Sequence, residues 1–195
     1  RRIGATVVNH LLDDGWAVIV HCNRSITQAK HLIKRGVGAV VSGDLSNDED
    51  LFRLIEEIHD HELVEKSGGI DLLIHNASIY HEEDFSTITP QELRRFTSIH
   101  LDAPFFMTQG LVPKIKEKKG SIIGIVDTSW GQSWENLSHY TATKAALRQL
   151  LINLSGELAP EIRVNGVAPG AILAAAWEKD RFEEVLKQVP MGRAG

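Results

Sequence analysis

The chain has 195 residues, a formal net charge of −5 and 43% hydrophobic residues, which fits one compact domain covering residues 1–195. No apolar run approaches the roughly 20 residues that a membrane helix needs, and the acidic balance argues against general nucleic-acid binding. A single cysteine, Cys22, cannot form an internal disulfide or a cysteine metal site, which indicates a reducing compartment such as the cytoplasm.

Predicted helices and strands alternate along the chain. The pattern of apolar residues predicts helices over residues 1–15, 25–36, 48–61, 90–107 and 138–158. It predicts strands over residues 16–21, 37–41, 70–75, 121–126 and 162–167. Most of these strands are continuously apolar, which is typical of a parallel sheet covered by helices on both faces. We therefore expect a Rossmann-like, doubly wound α/β fold with three layers.

Both ends of the sequence depart from a usual doubly wound sheet. The chain begins inside a predicted helix, whereas such a sheet usually opens with a central strand and a glycine-rich turn that receives the cofactor pyrophosphate. It stops at Gly192-Arg-Ala-Gly195 without a closing strand. We expect a fold that lacks its first strand and its C-terminal end.

The strongest local motif is Tyr140-Thr-Ala-Thr-Lys144 on a predicted helix. The spacing of four residues places both side chains on one face of that helix. A nearby ammonium group lowers the pKa of a tyrosine from its ordinary value of about 10. The phenol can then exchange a proton near neutral pH, as a general acid in carbonyl or imine reduction must. The spacing alone is common in surface pairs, so its meaning depends on the surrounding motifs.

Three polar or turn-forming segments follow predicted strands. Asp127 follows one strand and stands thirteen residues before Tyr140, and His75-Asn76-Ala77-Ser78 follows another. Ala168-Pro169-Gly170 comes after a third. The carboxyl ends of parallel strands meet at the edge where open α/β sheets bind ligands. We expect these segments to gather beside Tyr140 and Lys144.

With these motifs the chain resembles the short-chain dehydrogenase/reductase family over essentially its whole length. The family's NNAG motif corresponds to residues 75–78, its YxxxK motif to Tyr140 and Lys144, and its PG turn to Pro169-Gly170. Each motif is weak alone, and together they are specific. The resemblance implies that Lys144 lowers the pKa of Tyr140 and binds the nicotinamide ribose. It implies further cofactor contacts at Asn76, Ala77, Ser78, Tyr140, Pro169 and Gly170.

Three departures from the family pattern narrow the resemblance. Asp127 replaces the usual serine thirteen residues before the tyrosine, and Ser78 replaces the glycine of the NAG motif. Both changes are similar to pteridine reductases and bacterial dihydromonapterin reductases, which implies a catalytic set of Asp127, Tyr140 and Lys144. His100 stands where most members have the asparagine of a catalytic tetrad. Imidazole can donate or accept a hydrogen bond there, but the family's usual water relay is placed in doubt.

The segment Asn23-Arg24-Ser25 indicates the cofactor. It follows a predicted strand at the place where NAD-binding domains usually have an acidic residue on the ribose 2′-hydroxyl. An arginine fork matches a phosphate, and Ser25 adds a hydroxyl and backbone N–H groups at a helix start. The segment favours NADP(H), with a solvated loop arginine as the alternative reading of Arg24.

Further contacts come from the resemblance alone. Arg2 matches the arginine that closes the family's glycine-rich turn, and with Ile3 it is expected near the cofactor phosphates. Asp44 and Leu45 match the positions that flank the adenine ring.

Aromatic residues are candidates for the substrate pocket. Tyr80 matches a position where pteridine reductases present a ring that sandwiches the pterin against the nicotinamide. Trp130 and Trp134 closely follow Asp127 and are candidates for the pocket wall, with core packing an equal alternative. Asp127 and Tyr140 complete the predicted substrate-binding set.

The sequence therefore predicts an NADPH-dependent reductase that converts a dihydropterin of the dihydromonapterin or dihydrobiopterin type, with dihydrofolate as a further substrate. One alternative is a short-chain reductase of a ketone or of a 3-oxoacyl carrier protein. Another is a protein that binds NADP(H) without turnover. The resemblance also implies a homotetramer. We expect no metal site, because the histidines show no ligand spacing.

Overall fold

The computed structural model describes residues 2–174 and 179–195, and the side chains of residues 3–174 and 182–195. The helices are α1 (Arg2–Asp13), α2 (Ile26–Leu32), α3 (Asp48–His59), α4 (Glu62–Ser67), α5 (Pro90–Thr97), α6 (Ala103–Glu117), α7 (Ser138–Glu157) and α8 (Lys179–Gln188). The strands are β1 (Val18–Cys22), β2 (Gly38–Ser42), β3 (Leu72–His75), β4 (Ser121–Ile125) and β5 (Arg163–Val167). The chain thus alternates between helix and strand, as the sequence predicts.

Three helical regions differ from their predictions. The helix expected over residues 48–61 ends at His59 as α3, and the sequence reading has no counterpart for α4, which starts after His61, whose ring caps it by accepting a hydrogen bond from the Leu63 N–H. The helix that begins at Pro90 passes from α5 to α6 through a π-helical segment, Ser98–Asp102. The sequence reading assigns no element after residue 167, whereas α8 forms there.

The strands form two parallel sheets. One contains β1 and β2, and the other has the order β3-β4-β5. Within the described residues β1 and β3 do not pair; their side chains line a cavity of about 580 Å³, which α1 also lines. Parallel strands flanked by helices confirm the Rossmann-like α/β class.

The larger part of the core surrounds the three-stranded sheet. Leu54 of α3, Leu111 of α6 and Ile122 of β4 are completely buried within it. At Gly124 a Cβ atom would overlap the Leu151 side chain, so glycine lets α7 pack directly on β4. This close packing fixes the helix that carries Tyr140 and Lys144 against the strand that leads to Asp127. In the described part of the chain, no helix is long and apolar enough to cross a membrane.

Candidate active site

The structure brings the predicted phenol and carboxyl groups into direct contact. Tyr140 lies in the first turn of α7, and Asp127 lies in the loop that leaves β4. The Tyr140 hydroxyl donates a hydrogen bond to Asp127 Oδ2 at 2.8 Å. The other carboxylate oxygen, Oδ1, accepts the Ser129 N–H at 2.8 Å, which holds the carboxylate in place. Tyr140 is therefore protonated in this arrangement and acts as the donor.

Lys144 completes this group one helical turn after Tyr140. Its side chain is buried, and its Nζ atom donates to the carbonyl oxygen of Ile125 at 2.8 Å. The same Nζ lies 5.9 Å from the centroid of the Tyr140 ring. Burial lowers the pKa of Lys144 from its ordinary 10.5 to about 8, and the negative charge of Asp127 partly opposes this shift. At neutral pH the ammonium form therefore still predominates beside the phenol.

These three side chains can hold and deliver a proton. The carboxylate orients the Tyr140 hydroxyl, and the ammonium group supplies a positive charge that favours the phenolate left after proton transfer. A substrate nitrogen or oxygen within hydrogen-bond reach of the hydroxyl could take its proton. The geometry thus suits acid catalysis at a polarised double bond.

His100 links this group to the loop that follows β3. It lies in the π-helical segment and is only 1% exposed. Its Nδ1 atom is 2.8 Å from Thr143 Oγ1, and its Nε2 atom is 2.9 Å from Ser78 Oγ. Burial, with the nearby charges of Lys144 and His139, lowers the pKa of His100 to about 3. Sequence reasoning missed Thr143, because a hydroxyl one residue before a lysine carries no recognisable signal.

Of the two tryptophans considered for the pocket wall, Trp134 lies nearer to Tyr140. It packs against the cluster that contains Tyr140, as does Tyr80, whose ring centroid is 4.8 Å from that of Tyr140. Trp130 is 58% exposed and lies 4.7 Å from the guanidinium carbon of Arg148. The structure therefore brings Tyr80 to the proposed catalytic group and leaves Trp130 outside the cluster.

The predicted cofactor segment follows β1 directly. Arg24 is exposed, and Ser25 occupies the N-cap position of α2 without making a side-chain capping bond. The Asn23 side chain hydrogen-bonds Asp44. Hydrogen bonds from Ser46, with a smaller contribution from Asn23, lower the pKa of Asp44. The segment predicted to bind the ribose phosphate, residues 23–25, thus lies beside Asp44, which is predicted to flank the adenine ring.

A second group of predicted cofactor residues borders the cavity between β1 and β3. Asn76 and Ala77 line it together with Ser25 and Gly4. A Cβ atom at Gly4 would lie 2.6 Å from Asn76 Nδ2, so the first turn of α1 is in close contact with the loop after β3.

The remaining predicted cofactor residues are Arg2, Ile3, Leu45 and the turn Pro169-Gly170. Ile3 is partly buried in the first turn of α1, whereas the side chain of Arg2 lies outside the described residues. Leu45 is partly buried against the core. Pro169-Gly170 follows β5, whose last residue pairs with the last residue of β4, so this turn lies at the same edge of the sheet as Asp127.

A family model described as short chain dehydrogenase matches residues 1–185. The chain belongs to the short chain dehydrogenase family. This agrees with the resemblance drawn from residues 75–78, Tyr140, Lys144 and Pro169-Gly170.

The names of proteins similar to this chain describe different activities. A glucose and ribitol dehydrogenase homolog from Oryza sativa subsp. japonica is 32% identical over 80% of this chain and 55% of its own length. A dihydromonapterin reductase from Enterobacter sp. (strain 638) is 29% identical over 89% of this chain and 71% of its own length. The chain thus spans little more than half the length of the rice relative.

A solved structure extends the likeness to three dimensions. FolM alternative dihydrofolate reductase 1 from Brucella canis, complexed with NADP, superposes with a TM-score of 0.85 at 29% identity. The superposition covers 100% of this chain and 78% of that protein. Family membership establishes the fold class, and the varied names of the relatives leave the substrate to be argued from the residues.

Proposed function

We propose that this protein is an NADPH-dependent reductase of a dihydropterin, which it converts to the tetrahydro form. The observation that carries the proposal is the 2.8 Å hydrogen bond from the Tyr140 hydroxyl to the carboxylate of Asp127. This contact places a proton donor and an anionic acceptor side by side at the end of β4. A dihydromonapterin reductase and a dihydrofolate reductase among the similar proteins support the same substrate class.

The residues present fit NADP(H) as the cofactor. Arg24 is exposed at the end of β1, and an arginine fork matches a 2′-phosphate. Gly4, Asn76 and Ala77, which match the cofactor side of the family's site, line the same cavity, and Asn76 packs directly on the backbone at Gly4. The NADP bound to the similar Brucella structure is consistent with this assignment. When bound, NADPH supplies the hydride that adds to the carbon of the substrate C=N bond.

The protein's own residues would supply the proton and the orientation. Tyr140 donates its hydroxyl proton to the ring nitrogen, so that C=N becomes CH–NH. The ammonium group of Lys144 stabilises the phenolate that remains and binds the nicotinamide ribose. The Asp127 carboxylate accepts hydrogen bonds from the amino-substituted edge of the pterin, for which a serine hydroxyl is less suited. The Tyr80 ring stacks on the flat substrate, which adds about 0.5–1.5 kcal/mol beyond area burial.

Replacing Asp127 with serine is expected to reverse the substrate preference. The change removes the carboxylate that receives the pterin amino group, while a serine hydroxyl can still orient a carbonyl oxygen. We expect kcat/KM for dihydromonapterin to fall about tenfold to a hundredfold, since a buried donor loses its charged acceptor. Activity on an acetoacetyl ester should hold or rise.

The measurement is NADPH oxidation with both substrates, for the parent protein and for Asp127→Ser. Asp127→Asn is the matched control, since it keeps the size of the side chain and removes its charge. A parent protein that clearly prefers the ketone contradicts the pterin assignment and supports the ketone reductase. Binding of NADPH without consumption of any substrate supports the non-catalytic alternative.

Replacing Arg24 with alanine is expected to raise the KM for NADPH about tenfold or more and to leave the KM for NADH within about twofold, because only the 2′-phosphate is affected. Steady-state kinetics with both cofactors checks this result. Arg35→Ala is the matched control: Arg35 is also exposed, and it pairs with Asp13 on the surface. Equal effects on both cofactors would contradict a phosphate-binding role for Arg24.

The alternative function, a ketone reductase, is supported by the dehydrogenase names among the similar proteins.

Trp130 lies beside Arg148, outside the cluster around Tyr140. It stays a predicted substrate contact, which requires a pocket that extends as far as Arg148. The predicted homotetramer and cytoplasmic location stay predictions, and size-exclusion chromatography with light scattering checks the first.

A further inference from the structure

His100 joins two segments of the candidate site that are far apart in sequence. Through Nε2 it contacts Ser78, two residues before Tyr80, at 2.9 Å. Through Nδ1 it contacts Thr143, three residues after Tyr140, at 2.8 Å. The rings of Tyr80 and Tyr140 lie 4.8 Å apart beside this link. One imidazole therefore spans the space between the loop after β3 and the helix α7.

The hydrogen bonds around His100 determine its tautomer. The Thr143 hydroxyl donates to the Tyr140 carbonyl oxygen at 2.9 Å, so its oxygen is left to accept from His100 Nδ1. The Ile79 N–H lies 3.4 Å from Nε2, and an N–H can only donate. Nε2 is therefore the acceptor, and the Ser78 hydroxyl donates to it. The contacts at both ends of the ring thus favour the proton on Nδ1.

The ring stays neutral throughout the physiological range. It is buried beside Phe96, whose ring centroid lies 5.6 Å away in an edge-on orientation. The titratable groups that face it are Lys144, His139 and Tyr140, all on α7. Burial and the first two of these lower its pKa to about 3. Protonation at Nε2 would remove the acceptor of the Ile79 N–H and would reverse the bond with the Ser78 hydroxyl, so this geometry favours the neutral ring.

We infer that His100 is a positioning residue: a neutral linker that fixes the Tyr80 loop relative to α7 and so sets the distance between Tyr80 and the proton donor Tyr140. The kinetic consequence rests on the proposed function, whereas the link itself does not. A proton relay through this position would need an imidazole that gains and loses a proton, and the two fixed hydrogen bonds of His100 oppose this.

Two substitutions each break one half of the link. In His100→Asn the amide nitrogen takes the place of Nδ1, so the contact with Thr143 is kept and the contact with Ser78 is lost. In His100→Gln the longer amide reaches toward Ser78, and the contact with Thr143 is lost. We expect either variant to lower kcat about tenfold or more, since small misplacement of reacting groups is costly. The KM for NADPH should stay within about twofold, and the pH profile of kcat should keep its shape.

The decisive measurement is the ¹⁵N shifts of the His100 ring, recorded without substrate at several pH values between about 5 and 8, with thermal unfolding as the control for folding. We expect the Nδ1–H tautomer and no titration. An Nε2–H tautomer, a titration in that range, or full kcat in both variants would overturn the link. If the parent protein reduces no pterin while the ring spectrum is as expected, the proposed function fails and the link stands.

Discussion

Tyr140→Phe is expected to lower kcat for dihydropterin reduction about 10³-fold, the middle of the range for loss of a general acid. The substitution removes one oxygen and keeps the ring that packs against Tyr80 and His100. The dissociation constant for NADPH should change much less than kcat, because Lys144 and the other residues proposed to bind NADPH are retained. Single-turnover kinetics and a fluorescence titration of NADPH measure the two quantities separately.

The control for this substitution is Thr141→Val, which removes a hydroxyl from the next residue of the same helix. The Thr141 hydroxyl donates to the carbonyl oxygen of Leu137, so its loss affects α7 without touching Asp127. Activity in Tyr140→Phe within tenfold of the parent protein would show that another group delivers the proton. Asp127, the nearest ionisable neighbour of the hydroxyl, would then be the residue to test.

Much of the site could be predicted because its residues stand at ends of regular elements. Tyr140 and Lys144 share a face of one helix, and Asp127 immediately follows a strand that is recognisable from its apolar residues. Parallel strand ends converge at one edge whatever the details of packing. Local pattern and topology were thus sufficient to bring these three side chains together.

The remaining features of the candidate site depend on contacts that no local sequence pattern specifies. The link from His100 to Ser78 joins residues 22 apart, and that from His100 to Thr143 joins residues 43 apart. The choice between Trp134 and Trp130 follows from the path of an irregular loop, which composition does not determine. The π-helical segment around His100 is similar: its sequence reads as continuous helix, and only tertiary packing shows the wider turn.

Burial of the Lys144 ammonium group lowers the stability of the folded protein. Its side chain is 4% exposed and has one described hydrogen bond, to the Ile125 carbonyl oxygen. The fall in its pKa from 10.5 to about 8 means that the folded protein holds the proton less tightly than the unfolded chain does. The corresponding penalty at neutral pH is about 3 kcal/mol, from roughly 1.4 kcal/mol per pKa unit.

Lys144→Met is therefore expected to lower kcat about 10²-fold or more, because the developing phenolate loses its positive neighbour. Its effect on stability should depend on pH. Between about pH 8 and pH 10.5 the unfolded parent binds more protons than the folded parent, so the stability of the parent rises with pH relative to the variant. From near pH 7 to near pH 9.5 the difference in unfolding free energy should move by about 2 kcal/mol in favour of the parent.

Urea unfolding of both proteins at the two pH values measures this change, and other titrating groups cancel in the difference between them. Lys66→Met serves as the control, since the Lys66 side chain is 69% exposed and its ammonium group pairs with Glu62 on the surface. That variant should differ from the parent by nearly the same amount at both pH values. A parallel response of parent and Lys144→Met would show that Lys144 keeps its ordinary affinity for the proton in the folded protein. The proposal that Lys144 stabilises the Tyr140 phenolate would then rest only on the distance between the two side chains.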